Sequence, residues 1–210
     1  MRRQALDFIL IYMPNLTKSL KYLLAVNIAG ILLFTYLFLA RENYEFIIYI
    51  AVIVFFLLLI LFSHERVNYP EGILWGLTAW SFLHMAGGGL YWQGTKFYEL
   101  MLFPIVGEPY NIFKYDQFVH IVGFWVATLL AYYLIKPLMR DDSVKKFSFG
   151  LIIVMAGLGF GALNEIVEFG ATVVIPETGV GGYTNTALDL VSDLVGAIGA
   201  MVYLRVRSIK

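Results

Sequence analysis

The sequence contains no cysteine, which excludes disulfide bonds, thiolate metal ligands and thiol catalysis. Charge is also scarce, because only 14% of the 210 residues are charged and the 15 basic residues balance the 15 acidic ones. A chain without net charge lacks the field that holds nucleic acid, so we predict no nucleic-acid partner. Any bound metal must be held by histidine, carboxylate, amide or carbonyl groups.

Hydrophobic residues make up 60% of the chain, well above the share in a soluble domain. Six apolar runs approach the ~20 residues needed to cross hydrocarbon. They are Leu20–Ala40, Phe46–Ser63, Gly72–Tyr91, Gln117–Ile135, Phe147–Phe169 and Thr186–Leu204. We therefore predict an all-α fold, a polytopic membrane helix bundle with about six transmembrane helices. Residues 1–210 form one domain in contact with membrane lipids, and segment 1–19 is predicted to lie at the membrane interface.

Basic residues are distributed unevenly among the predicted loops. Twelve of the 15 lie in the N-terminal segment, the second and fourth loops and the C-terminal segment. The other three are Arg41, Lys96 and Lys114. By the positive-inside rule, both termini are cytoplasmic and the first, third and fifth loops face outward. The long third loop, rich in aromatic residues, is predicted to lie at the outer interface.

Polar and ionisable residues on four predicted helices fall at one depth, in the outer half of the membrane. They are His84 on the third helix, Asp116 and His120 on the fourth, Asn164, Glu165 and Glu168 on the fifth, and Asp189 and Asp193 on the sixth. Several are three or four residues apart and so share a helix face. We predict that they converge on one site that faces the extracytoplasmic side of the cell membrane.

No lysine or arginine lies between Lys146 and Arg205, so these carboxylates lack a local cation. Carboxylates at close range in a low dielectric must share protons or bind cations, and nearby histidines favour a metal. The predicted ligands are His84, His120, Glu165, Glu168 and Asp193. Imidazole with oxygen ligands suits zinc, manganese or iron, as one or two divalent ions. A protonated structural network and an ion or proton pathway remain alternatives.

Other residues are assigned supporting roles. Glu165 and Asp189 are candidate catalytic carboxylates. Asp116 and Asp189, near helix N-termini, are also candidate caps, while Asp116 and Asn164 could support the ligands by hydrogen bonds. Tyr183 and Asn185 belong to a glycine-rich fifth loop with the flexibility of a lid over a substrate.

Small residues suggest close helix packing or close approach of a ligand. Gly157 and Gly161 on the fifth helix, with Gly196 and Ala200 on the sixth, predict that these two helices approach each other closely. The glycine triplet 87–89 either ends the third helix or lets a ligand approach beside His84.

Three motifs together resemble a known family. They are Tyr-Asp-Gln-Phe-Val-His at 115–120, Asn-Glu-Ile-Val-Glu at 164–168, and the run from Gly182 to Gly196 that contains both late aspartates. The chain resembles the uncharacterised YjdF-like family of bacterial inner-membrane proteins, and more distantly VanZ-like proteins, over roughly residues 81–200. VanZ-like proteins more often have glutamine near Glu168 and asparagine near Asp193. The resemblance implies a role in the cell envelope.

The site chemistry favours a metal-dependent membrane hydrolase or transferase that acts on a lipid or lipid-linked envelope substrate. A transporter of protons or divalent cations is the main alternative. Against it, the inner halves of the last four helices contain no charged residue that would continue a path. A structural scaffold is the third possibility.

Overall fold

The computed structural model describes residues 17–139, 146–175, 178 and 182–208. Six long α-helices make up most of this part of the chain. They are α1 (Lys18–Ala40), α2 (Tyr44–Val67), α3 (Glu71–Gly89), α4 (Tyr115–Ile135), α5 (Phe147–Val174) and α6 (Tyr183–Ser208). The predicted all-α helix bundle is confirmed. Of the predicted interfacial segment, residues 1–16 lie outside the described residues, and Lys18 already belongs to α1.

Five of the six helices, all but α3, are long and apolar enough to cross a membrane. Helix α3 has 19 residues and contains five glycines and His84, which reduce its hydropathy. It nevertheless packs within the bundle, against α1, α2 and α4. The protein is therefore an integral membrane helix bundle, and its orientation across the membrane remains a prediction.

Local signals in the sequence set several helix ends. The Thr17 hydroxyl accepts a hydrogen bond from the Leu20 amide at 3.2 Å, and Asn43 Oδ1 accepts one from the Phe46 amide at 3.4 Å. Each satisfies an amide that has no partner within its own helix. Helix α2 ends at Asn68, whose positive φ of 53° is a left-handed conformation that asparagine tolerates.

The connection between α3 and α4 forms two small antiparallel hairpins. The first pairs β1 (Tyr91–Trp92) with β2 (Thr95–Lys96), and the second pairs β3 (Met101–Val106) with β4 (Ile112–Lys114). Strands this short leave almost no periodic signal in a sequence. All six residues of β3 are exposed although most are apolar, which fits a location at the membrane interface.

Helices α4, α5 and α6 pack against one another, and α3 connects this trio to α1 and α2. One buried apolar cluster lies where α1 ends and α2 begins, and it includes Phe38, Phe46 and Met85. A second buried apolar cluster lies at the other end of the bundle, between α4, α5 and α6, around Ile153 and Met201. The polar site therefore lies between helices that are fixed by packing at both ends of the bundle.

The glycine triplet at the end of α3 makes room for aromatic rings. A Cβ on Gly87 would lie 2.5 Å from the Tyr98 ring, and one on Gly88 would overlap the Phe46 ring. Gly89 faces Phe34 and Phe38 in the same way. The space beside these glycines is filled by side chains, so the alternative that a ligand approaches the backbone there is not supported.

The predicted close approach of α5 to α6 is present, but Gly196 does not take part in it. A Cβ on Gly157 would lie 3.1 Å from Ala197 Cβ, and one on Gly161 would overlap Asp193. Gly196 instead packs against the backbone of α4 at Ile121. Neighbouring residues of a helix point about 100° apart, so Gly196 and Ala197 face different helices.

Candidate functional site

Buried polar side chains meet at one end of the bundle, where α4 begins, α5 ends and α6 begins. His120 lies at the centre and is 6% exposed, whereas Asp189 and Asp193 are fully buried. Glu165 and Glu168 on α5 are 9% and 8% exposed. We call this group, together with Asp116, the His120 cluster. Of the four helices predicted to contribute, α4, α5 and α6 bring their ionisable groups together here, and their depth in the membrane stays a prediction.

Asp193 holds the His120 ring in place. Its Oδ1 atom lies 2.8 Å from His120 Nδ1. The other ring nitrogen, Nε2, lies 3.8 Å from Asp116 Oδ1. A carboxylate bonded to one imidazole nitrogen, with the second nitrogen directed to other donors, is a common arrangement behind a metal ligand. Asp193 was predicted as a ligand, and its Oδ1 is instead bonded to His120.

Two sets of donor atoms share His120. One atom each from Asp116, His120 and Asp189 lie within 4.8 Å of one another, and the same holds for His120, Glu165 and Glu168. Three donors around one ion, with bonds of about 2.0 to 2.2 Å, lie closer together than this limit. Either set would therefore hold an ion after its side chains moved inward.

Several carboxylate oxygens in the cluster lack a partner. Within the described residues, both oxygens of Glu165 and the Oδ2 atom of Asp193 are buried without a hydrogen bond. The Thr186 hydroxyl and the Asn164 amide lie close to Glu165 but do not reach hydrogen-bond geometry. In the same part of the chain, the cluster carboxylates form no ion pair with lysine or arginine. Such oxygens require a proton or a cation.

Amide side chains fix two of the remaining carboxylates. Asn164 Nδ2 donates to Glu168 Oε1 at 2.8 Å, which agrees with its predicted supporting role. Asp189 accepts at Oδ2 from Asn185 Nδ2 at 2.5 Å and at Oδ1 from Gln117 Nε2 at 3.4 Å. Asp189 therefore has a partner at each oxygen.

The predicted helix caps are wrong. Helix α6 begins at Tyr183, three residues earlier than predicted, so Asp189 is its seventh residue and lies beyond the capping position. Asp116 lies in the first turn of α4, but its N-cap residue is Lys114, whose amide donates to Gln117 Oε1 at 2.6 Å. Both aspartates are directed toward His120 instead.

The two predicted lid residues lie in the first turn of α6. Tyr183 is 89% exposed, and Asn185 is bonded to Asp189 as described above. Residues 179–181 of the glycine-rich loop lie outside the described residues. A lid role for this segment stays a prediction.

His84 lies beside the His120 cluster and outside its two donor sets. Its ring stacks on Trp80 with centroids 5.5 Å apart, and its Nδ1 atom lies 2.5 Å from the Tyr98 hydroxyl. A cavity of about 30 Å³, with room for about one water molecule, is lined by His84 together with Asp116 and Glu168. Desolvation, and then the charge of Asp116, raise the pKa of the Tyr98 hydroxyl well above its usual value.

Sequence reasoning missed three residues of this region, which are Glu45, Tyr98 and Gln117. Glu45 and Tyr98 line the small cavity, and Gln117 bonds Asp189. Gln117 stands three residues before His120, and this spacing was a usable signal. Glu45 and Tyr98 come from segments that were interpreted as a helix start and an interfacial loop, so only the fold reveals their proximity.

Comparisons with known proteins give one match. The model of a family described as predicted membrane protein (DUF2238) matches residues 21–210, nearly the whole chain. No curated protein and no solved structure matches the chain significantly. The matched region contains every residue of the His120 cluster. The likeness to VanZ proteins stays a prediction.

Proposed function

The chain belongs to this family of predicted membrane proteins (DUF2238), and we propose that it is a metal-dependent membrane hydrolase or transferase. Its substrate would be a lipid or a lipid-linked component of the cell envelope. One observation carries the proposal: four buried carboxylates, the half-buried Asp116 and one histidine converge, and three of their oxygens have no hydrogen-bond partner among the described residues. A divalent cation would satisfy these oxygens and neutralise their charge.

The donors present fit zinc, manganese or iron, because they combine one imidazole with several carboxylate oxygens. Asp116, His120 and Asp189 would hold one ion, or His120, Glu165 and Glu168 would hold it as the alternative set. Asp193 would act through His120, by fixing the ring and increasing its basicity. His84, with Tyr98 on its Nδ1 atom, would contact bound substrate or water at the edge of the site.

A bound divalent ion supplies an activated water and polarises a carbonyl or phosphoryl group. Glu165 is the better candidate for the general base, because both of its oxygens lack a hydrogen bond within the described residues. Asp189, the other candidate, has an amide partner at each oxygen. We therefore assign Asp189 to positioning or ligation. Glu165 would both ligate the ion, as a member of its donor set, and transfer protons.

Glu165→Gln tests the proposal, with Glu71→Gln as the control. Glu71 is an exposed residue at the start of α3, outside the site. We expect Glu165→Gln to retain expression and helix content, because removing one charge relieves repulsion in the cluster. Metal content, measured on the purified protein, should decrease in Glu165→Gln and not in Glu71→Gln.

The same variant distinguishes the competing functions. If the cluster is a proton pathway, Glu165→Gln should abolish pH-dependent flux in liposomes, whatever its metal content. A purely structural network predicts a lower melting temperature with no change in metal or flux. Either result would contradict the proposed hydrolase or transferase.

A further inference from the structure

A large apolar groove lies on the side of the bundle next to the His120 cluster. Helices α1 to α5 all contribute to it, and its cavity volume is about 150 Å³. Leu23, Phe56, Leu77, Phe124 and Leu163 are among its lining residues. This is less than the volume of a typical pocket for a drug-sized ligand, so the groove suits a slender ligand. Because the groove lies between membrane-spanning helices, it is surrounded by hydrocarbon.

At one end of the groove, His64 Nδ1 is buried without a hydrogen-bond partner among the described residues. Along the rest of the wall, the polar groups of Asn27, Thr78 and Ser81 are bonded to the protein itself. Asn27 Nδ2 donates to the Leu23 carbonyl at 2.9 Å and to Thr78 Oγ1 at 2.8 Å. The Thr78 hydroxyl donates to the Leu74 carbonyl at 3.0 Å, and the Ser81 hydroxyl donates to the Thr78 carbonyl at 2.8 Å. These groups do not need a polar ligand, so the wall presents an apolar surface.

The length of the groove matches a hydrocarbon chain. Along α2 its lining extends from Val52 to His64. At 1.5 Å per residue this distance is ~18 Å, somewhat more than half of the ~30 Å hydrocarbon core. A single extended acyl chain spans a comparable depth, because two opposed leaflets make up the core.

Two residues connect the groove to the His120 cluster. Asn164 lines the groove and donates to Glu168 Oε1. Trp80 lines it as well, and its ring stacks on His84. The apolar groove therefore ends at the polar site, which is the arrangement that an amphipathic molecule requires.

We propose that the groove binds one acyl chain of a membrane glycerophospholipid, with the headgroup directed toward the His120 cluster. This inference rests on the proposed function and specifies its substrate class. Transfer of an acyl chain from the bilayer to the groove gains little hydrophobic energy, because both surroundings are apolar. The groove therefore orients the lipid, and the polar site selects its headgroup.

Ala127→Phe tests the proposal, with Ala156→Phe as the matched control. Ala127 lines the groove in the middle of α4, whereas Ala156 is exposed in the middle of α5. The probe is phosphatidylethanolamine with a photoreactive acyl chain, in vesicles that contain the purified protein. We expect groove labelling to decrease about tenfold in Ala127→Phe, a loss of ~1.4 kcal/mol, and to stay unchanged in Ala156→Phe.

Peptide mapping of the wild type gives a measurement that does not depend on variant folding. We expect crosslinks within Leu74–Ser81 of α3, which includes five groove-lining residues. Labelling that is confined to exposed positions, such as Leu151 and Ile152, would show surface lipid only and overturn the proposal. Equal labelling of the groove in all three proteins would also overturn it.

Failure of this inference is distinguishable from failure of the proposed function. Groove labelling in a protein that binds no metal would support the lipid site and contradict the metal-dependent reaction. Bound metal without groove labelling would contradict the lipid site and leave the metal proposal standing.

Discussion

Replacement of Gly161 by alanine should damage the His120 cluster without touching any ligand. A Cβ at Gly161 would overlap Asp193 Oδ2 and lie 2.7 Å from Asp193 Cγ. Asp193 is fully buried and bonded to His120 at 2.8 Å, so its side chain has little room to move. The added methyl group must therefore displace Asp193 or separate α5 from α6.

Gly159→Ala is the control, because it makes the same change two residues earlier in α5. A Cβ at Gly159 meets no described atom within 4 Å. Both variants gain up to ~1 kcal/mol of helix propensity, and this gain cancels in their difference. Overpacking at Gly161 costs about 1 to 3 kcal/mol. The free energy of unfolding should therefore be lower in Gly161→Ala than in Gly159→Ala by that amount.

Thermal unfolding and metal titration measure the two consequences. A difference of ~1 kcal/mol corresponds to about 2 to 4 °C in a chain of this size. Loss of the carboxylate that orients His120 should weaken metal binding about 10- to 100-fold. If Gly161→Ala melts and binds metal like Gly159→Ala, the contact between Gly161 and Asp193 does not support the site.

Three further predictions concern topology and the Tyr98 contact. Single cysteines at the exposed positions Leu138 and Tyr183 should differ in labelling by an impermeant thiol reagent, and labelling of position 138 from outside intact cells would contradict the predicted orientation. Gly87→Ala should lower the melting temperature, because the added Cβ displaces Tyr98. Gly72→Ala should not, because a Cβ at Gly72 meets no described atom within 4 Å. Equal melting temperatures of the two variants would contradict this prediction. The substitution Tyr98→Phe should lower the free energy of unfolding by about 0.5 to 1.5 kcal/mol at neutral pH. Desolvation raises the pKa of Tyr98 in the folded protein. The free energy of unfolding of the wild type should therefore fall above pH ~10, where tyrosines of the unfolded chain ionise. The difference in this free energy between the wild type and Tyr98→Phe should narrow at the same pH, and a constant difference would count against this prediction.

The sequence predicts the helix bundle and the depth of its polar groups, because both depend on local patterns. Apolar runs define the helices, and their alternating direction places Glu165 and Asp193 at one level. The small-residue spacing predicts the close approach of α5 and α6, although not that Gly161 contacts Asp193. These features need no knowledge of how the helices are arranged around the bundle axis.

The parts that the sequence could not predict depend on that arrangement. Gly196 faces α4 because of the rotation of α6, which apolar spacing alone does not determine. His84 lies beside the His120 cluster, but its partner Tyr98 comes from a hairpin connection that has no transmembrane pattern. The helical start at Tyr183 was missed because the preceding glycines favoured a loop over the first turn of α6.

Elemental analysis of the purified wild-type protein tests the central claim most directly. The protein would be supplied with zinc, manganese or iron, freed of excess metal and measured before and after treatment with a chelator. The account predicts near-stoichiometric metal that the chelator removes, with nitrogen and oxygen ligands in X-ray absorption spectra. Protein that binds none of the three metals, or that retains activity on its substrate when metal-free, would contradict it.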